Sequence, residues 1–236
     1  CLWLSFKFLF LMKPAYNGLR SPEIVAKLSC VKNVQFVPDI ATNLIKKCTQ
    51  EWSKDGRKVT FNDVLMTVIS KSLHDYLREH TQDKTTEYMY LACPMSLRRK
   101  PQAIGDFDFN NDFSIVPLKL RLVTNFKDGL FQINADMNAV KKSLEPFGMV
   151  YIVKILMFLP SFLGHFLMED YANKLVLGFS NVPGPKNPFV TAGYTTQALG
   201  FQMPVGRTIV GSFSIISHAD VVKMCITMDK AVMETS

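Results

Sequence analysis

Histidine is scarce in this chain of 236 residues and never paired: His74, His80, His165 and His218 each stand alone. Cysteine is not scarce but is badly placed for a scaffold. The five, at positions 1, 30, 48, 93 and 225, are odd in number and show no C-x-x-C spacing, which excludes a readable zinc site or disulfide framework and leaves a reducing compartment as the default. Residues 1–12 do not read as a membrane span either. The apolar run at residues 1–12 is too short to cross a bilayer, carries Lys7 in its middle, and is not followed by a small-x-small cleavage site. Nor is there one continuous basic tract. The positive balance comes from Lys46-Lys47, Arg98-Arg99-Lys100 and Lys141-Lys142, and without a helix-turn-helix, zinc or base-stacking motif beside them nucleic acid is unsupported as a partner. Internal repeats are absent.

What is present suits one globular unit. With 48% hydrophobic residues the chain can bury a sizeable core at a length typical of a single domain. Its net charge of +7 and pI near 9.1 suit an anionic membrane surface or a phosphate-bearing ligand, or else each cluster is solvated surface.

Periodicity gives mixed α/β content. Residues 31–37 alternate as a strand, 39–53 read as a helix ending near Asp55-Gly56, and Thr60 is placed to cap a helix with Asp63 as the capping-box acid. On that helix Phe61, Val64, Leu65, Val68, Ile69, Ser72, Leu73 and Tyr76 follow helical spacing and are expected to be its buried face. Strands follow at residues 87–95 and 112–122. In the second, Ser114, Val116, Leu118, Leu120 and Leu122 share one face, and Pro117 implies an edge or a bulge. Residues 125–145 read as a helix and 147–168 as a longer apolar one with a kink at Pro160. Lys154, Ser161 and His165 give the latter one wet stripe, so it is a core helix, an interfacial one or, least in keeping with a central Lys, a span. Short strands are expected at 189–191 and 195–201, then a hairpin from 208–217 and 221–228 with His218 in its turn, there as a turn residue or a catalytic one.

The most demanding local chemistry is Ser180-Asn181-Val182-Pro183-Gly184-Pro185, directly after the apolar run Leu175–Phe179. Pro183 followed by Gly184 reads as a type II turn with positive φ at the glycine, either an ordinary corner or the rigid base of a ligand-facing loop. Two other segments precede it in order: Val59-Thr60-Phe61-Asn62-Asp63-Val64-Leu65, running on to Tyr76-Leu77, and Asn110-Asn111-Asp112-Phe113-Ser114-Ile115-Val116-Pro117-Leu118. Together with Leu28-Ser29-Cys30-Val31-Lys32, these resemble the ordered motifs of the C-terminal half of the wax ester synthase/diacylglycerol acyltransferase family. The similarity covers roughly residues 28–232. Asn110 departs from the pattern, where family members have Gly.

The resemblance implies an α/β fold of the chloramphenicol-acetyltransferase-like, CoA-dependent acyltransferase kind, a mixed sheet with flanking helices. It implies a domain over residues 28–236, with 1–27 a linker or the truncated end of a missing N-terminal half. The implied function is acyl-CoA-dependent O-acyl transfer to an alcohol or diacylglycerol, giving wax esters or triacylglycerol, with this domain forming one wall of the substrate tunnel. The family's Asn-Asp pair lies near the catalytic centre, a role carried to Asn62 and Asp63; Asp63 at a helix N-terminus is equally a structural cap. Asn111, Ser114, Ser180, Asn181, Pro183 and Gly184 are the other channel or motif residues. Family members carry His-His-x-x-x-Asp-Gly in an N-terminal half, and no such motif occurs here. The base is therefore expected from a catalytic half in cis or trans, with no catalytic residue, metal or cofactor in this chain and acyl-CoA as co-substrate. An intracellular, membrane-associated location at the endoplasmic reticulum, plasma membrane or lipid droplet follows from the same likeness. The alternatives are an inactive lipid-binding module and a membrane-associated scaffold.

Overall fold

The computed structural model describes residues 12, 16–29, 31–54, 57–98, 113–143, 148–152, 158–206 and 208–232. In chain order the elements are α1 (Pro22–Lys27), β1 (Lys32–Phe36), β2 (Ile40–Ala41), α2 (Thr42–Trp52), α3 (Phe61–His80), β3 (Tyr88–Ser96), β4 (Phe113–Arg121), α4 (Phe126–Lys142), α5 (Ser161–Ala172), β5 (Leu177–Pro183), β6 (Val190–Thr191), β7 (Tyr194–Thr195), β8 (Gly211–His218) and β9 (Val221–Asp229). A further helical turn covers 148–152. The main sheet runs β1-β9-β8-β5-β3-β4, with β2 also on β9, and β6-β7 form a separate ribbon. β5 pairs in parallel with both β8 and β3, whereas the remaining pairs are antiparallel. The result is the mixed sheet with flanking helices expected from the sequence.

Alternation along β3 explains how the sheet is covered. Met89 and Leu91 point into the larger core with Leu65, Ile69 and Leu73 of α3 and Leu130 and Ile133 of α4. Tyr90 and Ala92 face the other way, toward Met149, Tyr171 and Leu175. The inward row of β4, Ser114, Val116, Leu118 and Leu120, is buried as its pattern demands. Pro117 sits on that strand without cost because β4 is the sheet's edge.

Several expectations change in detail. The inward face of α3 is shifted: Met66, Ser70 and Leu77 are buried, while Val68 is 43% exposed and Ser72 is also outward. Residues 147–168 are not one kinked helix. In the described part a turn at 148–152 is followed, across Pro160, by α5, and the Pro160 carbonyl accepts the first helical N–H groups of Leu163 and Gly164 at 2.9 and 3.1 Å. Proline has begun a helix instead of bending one. The strand expected at 195–201 is only Tyr194–Thr195. It is joined to Val190–Thr191 by Ala192 and Gly193 at φ 52° and 84°, the two positive values a tight hairpin requires. His218 ends β8, opposite Val221, with the turn formed by Ala219 and Asp220. Lys154, Asn110 and Asn111 lie outside the described residues. From Tyr16 onward the segment expected as a linker packs onto the domain: Leu19 is 1% exposed, and the buried Arg20 guanidinium donates to the carbonyl and the side-chain oxygen of Asn173 at the end of α5.

The largest change is in the Ser-Asn-Val-Pro-Gly-Pro segment. The strand does not stop at Phe179; Ser180, Asn181, Val182 and Pro183 continue β5, in register with Ser214 to Ser217 of β8. Gly184 is not at positive φ. Its N–H donates to Ser217 O at 2.8 Å, one more rung of the same ladder, and a Cβ built on it would stand 2.3 Å from that oxygen. The glycine is there for close backbone approach, not for a left-handed turn.

Candidate functional site

The site begins where two strands part. β3 and β5 pair only at Leu91↔Leu177 and Ala92↔Gly178, after which Cys93 to Ser96 pair with β4 alone and Phe179 to Pro183 with β8 alone. The cause is legible in the two prolines. Ala92 lies opposite Pro117 and Pro94 opposite Ile115, two rungs apart, so both prolines share the phase of the ladder in which the backbone N faces away from the β3–β4 pair. In β3 that direction is toward β5. Ala92 uses it to pair; Pro94 has no N–H to offer, and the β3–β5 ladder ends.

The cleft so opened holds a cavity of about 130 Å³. Its walls are mainly apolar, from Met95 on β3, Val116 and Leu118 on β4, Met137 and Val140 on α4, and Phe179 on β5. Asn62, Asn181, Lys141 and Cys93 add the polar atoms. Burial pushes the Cys93 thiol up to about 11, which keeps it protonated and unsuited to act as a nucleophile. No histidine or carboxylate is among the lining residues described. The described residues also hold no group of three or more His, Cys, Asp or Glu side chains that could bind a metal.

Two of the sequence motifs meet here. Asn62, in the first turn of α3, accepts at Oδ1 a 2.5 Å hydrogen bond from Asn181 Nδ2 on β5. Asp63 points the other way and is fully buried. Its Oδ2 accepts from Thr60 N and Thr60 Oγ1, both at 2.7 Å, and from Asn134 Nδ2 of α4, also at 2.7 Å. Asn134 also donates to Lys58 O at 3.0 Å. The Asn-Asp pair thus divides its labour: Asp63 closes the capping box and ties α3 to α4, and so fixes Asn62 at the cavity. The sequence assigns no site role to Asn134 or Pro94, and reads Cys93 only as one of five unpaired cysteines; a lone Asn on a helix and a lone Cys on a strand carry no signal of a long-range partner.

The other motif residues are placed around this core of the site without lining the cavity. Ser180 is buried beside Ser214 in the β5–β8 register. Ser114 is buried on β4, its Oγ without a hydrogen-bond partner among the described residues. Pro183 and Gly184 carry the strand toward the hairpin. There Pro185 O accepts from Ala219 N at 3.1 Å and lies 3.1 Å from His218 Nδ1, while His218 Nε2 is 3.4 Å from Thr196 O and the ring meets Phe189 edge-on. His218 is a buried fastening between the Pro-Gly-Pro segment and the loop after β7. His74, on α3, is 3.2 Å from Asp75.

The model of the WS/DGAT C-terminal domain matches residues 110–236, more than half of the chain. The chain belongs to the wax ester synthase/diacylglycerol acyltransferase family. No curated protein matches it in sequence. Among solved structures it is similar to the wax ester synthase/diacylglycerol acyltransferase of Marinobacter aquaeolei, with a TM-score of 0.57 and 14% identity over 85% of this chain and 44% of that one. It is also similar to the epimerization domain from the third module of tyrocidine synthetase B, with a TM-score of 0.55 and 9% identity over 99% and 50% of the two chains. A third likeness is to the starter condensation domain of rhizomide synthetase in complex with C8-CoA and Leu-SNAC, with a TM-score of 0.54 and 13% identity over 98% and 46%. At such identities the likeness is one of fold, the condensation and CoA-acyltransferase kind. This family member spans half or less of the length of these structures.

Proposed function

We propose that this chain is the C-terminal domain of an acyl-CoA-dependent O-acyltransferase that makes wax esters or triacylglycerol, and that it forms one wall of the substrate tunnel. The observation that carries the reading is the Asn62–Asn181 hydrogen bond beside an apolar cavity: motif residues 119 positions apart in sequence meet where a hydrocarbon substrate and a polar reacting group would both find partners. In the reaction an alcohol or diacylglycerol oxygen attacks the thioester carbonyl, its proton passes to a base, and the coenzyme A thiolate leaves and is protonated. This domain contributes a dry apolar surface and amide groups for orientation. The base comes from a His-His-x-x-x-Asp-Gly half in cis or trans.

The purified chain alone is therefore expected to give no acyl-CoA:alcohol transfer above background. Addition of a separately expressed half carrying that motif should raise the rate by about 100-fold or more, the least a positioned general base contributes. Turnover by the chain alone that survives joint replacement of His74, His165 and His218 by Ala would sink the two-half account. Failure of every such half to restore transfer would favour a lipid-binding module.

We also propose contact with an anionic membrane surface through α5. Phe162 and Phe166, one turn apart on this helix, are 77% and 66% exposed, and Phe158 just before it is 90% exposed. Among the described residues no helix is long and apolar enough to cross a membrane, so the contact proposed is interfacial. With a net charge of +7, binding to anionic vesicles in flotation should fall as salt rises past physiological strength, where the screening length is about 8 Å. Phe162→Glu with Phe166→Glu should abolish it. Retention at all salt concentrations, or no binding at any, would each refute the interfacial contact.

A further inference from the structure

Five cations of the domain are matched by carboxylates: Lys32 with Asp229, Lys71 with Asp75, Arg121 with Asp136, Lys174 with Asp170 and Lys223 with Asp39. One basic cluster is not. Lys54, Arg57 and Lys58 are exposed on the loop between α2 and α3, Lys127 is exposed on α4, and none of them forms an ion pair among the described residues, although Glu51 and Asp128 stand close by in sequence. Two rings hold this cluster together. Trp52, the last residue of α2, meets Phe131 of α4 edge-on, with centroids 5.9 Å apart. The Arg57 guanidinium carbon lies 4.8 Å from the Phe131 centroid and Lys127 Nζ 5.5 Å from that of Trp52, so each cation is seated on one ring of the pair.

Seating changes what the cations can do. A guanidinium stacked on a ring keeps its N–H fork directed sideways, where it matches two oxygens of a phosphate, and the stack removes side-chain freedom before any ligand arrives. The loop is held as well: Ser53 Oγ accepts from Val59 N at 3.0 Å across its base, and Arg57 N donates to Lys54 O at 3.1 Å.

The position of the cluster selects the phosphate. Arg57 is five residues before Asn62, so the two are at most about 18 Å apart. On α4, Lys127, Phe131, Asn134 and Lys141 lie at i, i+4, i+7 and i+14, one stripe that runs from the cluster to the cavity that Lys141 lines. A thioester whose carbonyl is held at Asn62 and Asn181 has its nucleotide within reach of Arg57 through an extended pantetheine arm. A lipid headgroup fits less well. Trp52 packs on the α3–α4 side of the sheet, whereas Tyr171 of α5, the helix proposed to meet the membrane, packs on the other.

Resting on the acyltransferase reading for the identity of the ligand, we infer that Arg57 and Lys127, seated on Phe131 and Trp52, form a phosphate site that takes the nucleotide end of acyl-CoA outside the cavity.

Trp52 supplies the reporter. The tryptophans are Trp3 and Trp52, so in the whole chain carrying Trp3→Phe the indole emission comes from Trp52 alone. It is titrated with adenosine 3′,5′-bisphosphate, coenzyme A, pantetheine, inorganic phosphate, and vesicles of phosphatidylglycerol in phosphatidylcholine. The bisphosphate and coenzyme A should each give a saturable change whose Kd rises with salt, and pantetheine none. Arg57→Ala should raise both Kd values about tenfold or more, by loss of a bidentate charged contact, and Lys127→Ala about two- to fivefold. Arg57→Lys keeps the charge without the fork and should behave more like Arg57→Ala than like the parent. Lys186→Ala, an equal change of net charge at another exposed position, should leave Kd unchanged.

No response to either nucleotide would overturn the inference, as would pantetheine acting as coenzyme A does, or inorganic phosphate bound as tightly as the nucleotides. Kd values that stay the same in folded Arg57→Ala and Lys127→Ala variants would do so too. Vesicle binding that needs both cations, with no nucleotide response, would overturn it in favour of a lipid headgroup. If a His-His-x-x-x-Asp-Gly half restores transfer and the KM for acyl-CoA is the same in Arg57→Ala as in the parent, the phosphate site falls and the acyltransferase reading stands. Arg57-dependent nucleotide binding with no transfer from any such half would do the reverse.

Discussion

Replacement of Asp63 by Ala should lower the unfolding free energy by roughly 2–4 kcal/mol, because three donors lose one buried acceptor together. Thr60 N, Thr60 Oγ1 and Asn134 Nδ2 all converge on Asp63 Oδ2 in a place with no exposure to solvent, and Asn134 in turn holds Lys58 O. For a chain of this length such a loss is a fall in Tm of about 5–15 °C. Asp63→Asn keeps an acceptor in the same position and should cost less than half as much. Denaturant unfolding of both variants checks the ordering; equal losses would mean that packing volume, not the hydrogen-bonded junction, is what Asp63 provides. Because Asn62 is the preceding residue, Asp63→Ala should also impair any substrate binding that depends on the Asn62–Asn181 pair.

Gly184→Ala is expected to cost about 1–3 kcal/mol, the usual range for forcing a methyl group into occupied space. The added Cβ would sit 2.3 Å from Ser217 O, a backbone atom held in the β5–β8 ladder, so relief requires the two strands to separate where Gly184 N donates to that oxygen. Lys186→Ala, two residues on and exposed, should cost little. The comparison distinguishes two causes that the sequence leaves equal. Were Gly184 kept for a positive φ, Gly184→Asn would be nearly tolerated, since Asn enters the left-handed region readily. Crowding against Ser217 makes Asn at least as harmful as Ala. Thermal unfolding of Gly184→Ala, Gly184→Asn and Lys186→Ala decides it.

Much of the fold is legible in local pattern. The inward row of β4, the edge position that Pro117 demands, the capping box at Thr60 and Asp63, and the hairpin of β8 and β9 all rest on side chains whose partners are near in sequence or whose period is that of one element. Pro-Gly reads as a turn until β8, distant in sequence, is seen lying beside it, whereas Pro160, which reads as a kink inside one helix, starts a helix of its own.

The sequence by itself determined the mixed α/β class, the family likeness and the identity of the motif residues, because those depend on periodicity and residue order. Only the tertiary structure decided what the residues do to one another. It joined Asn62 to Asn181, turned Asp63 away into the α3–α4 junction, and made Pro94 the reason that a cleft exists between β3 and β5. The physical reason is that a cavity is a failure of two strands to pair, and pairing is a property of neighbours in space; no window along the chain contains both walls.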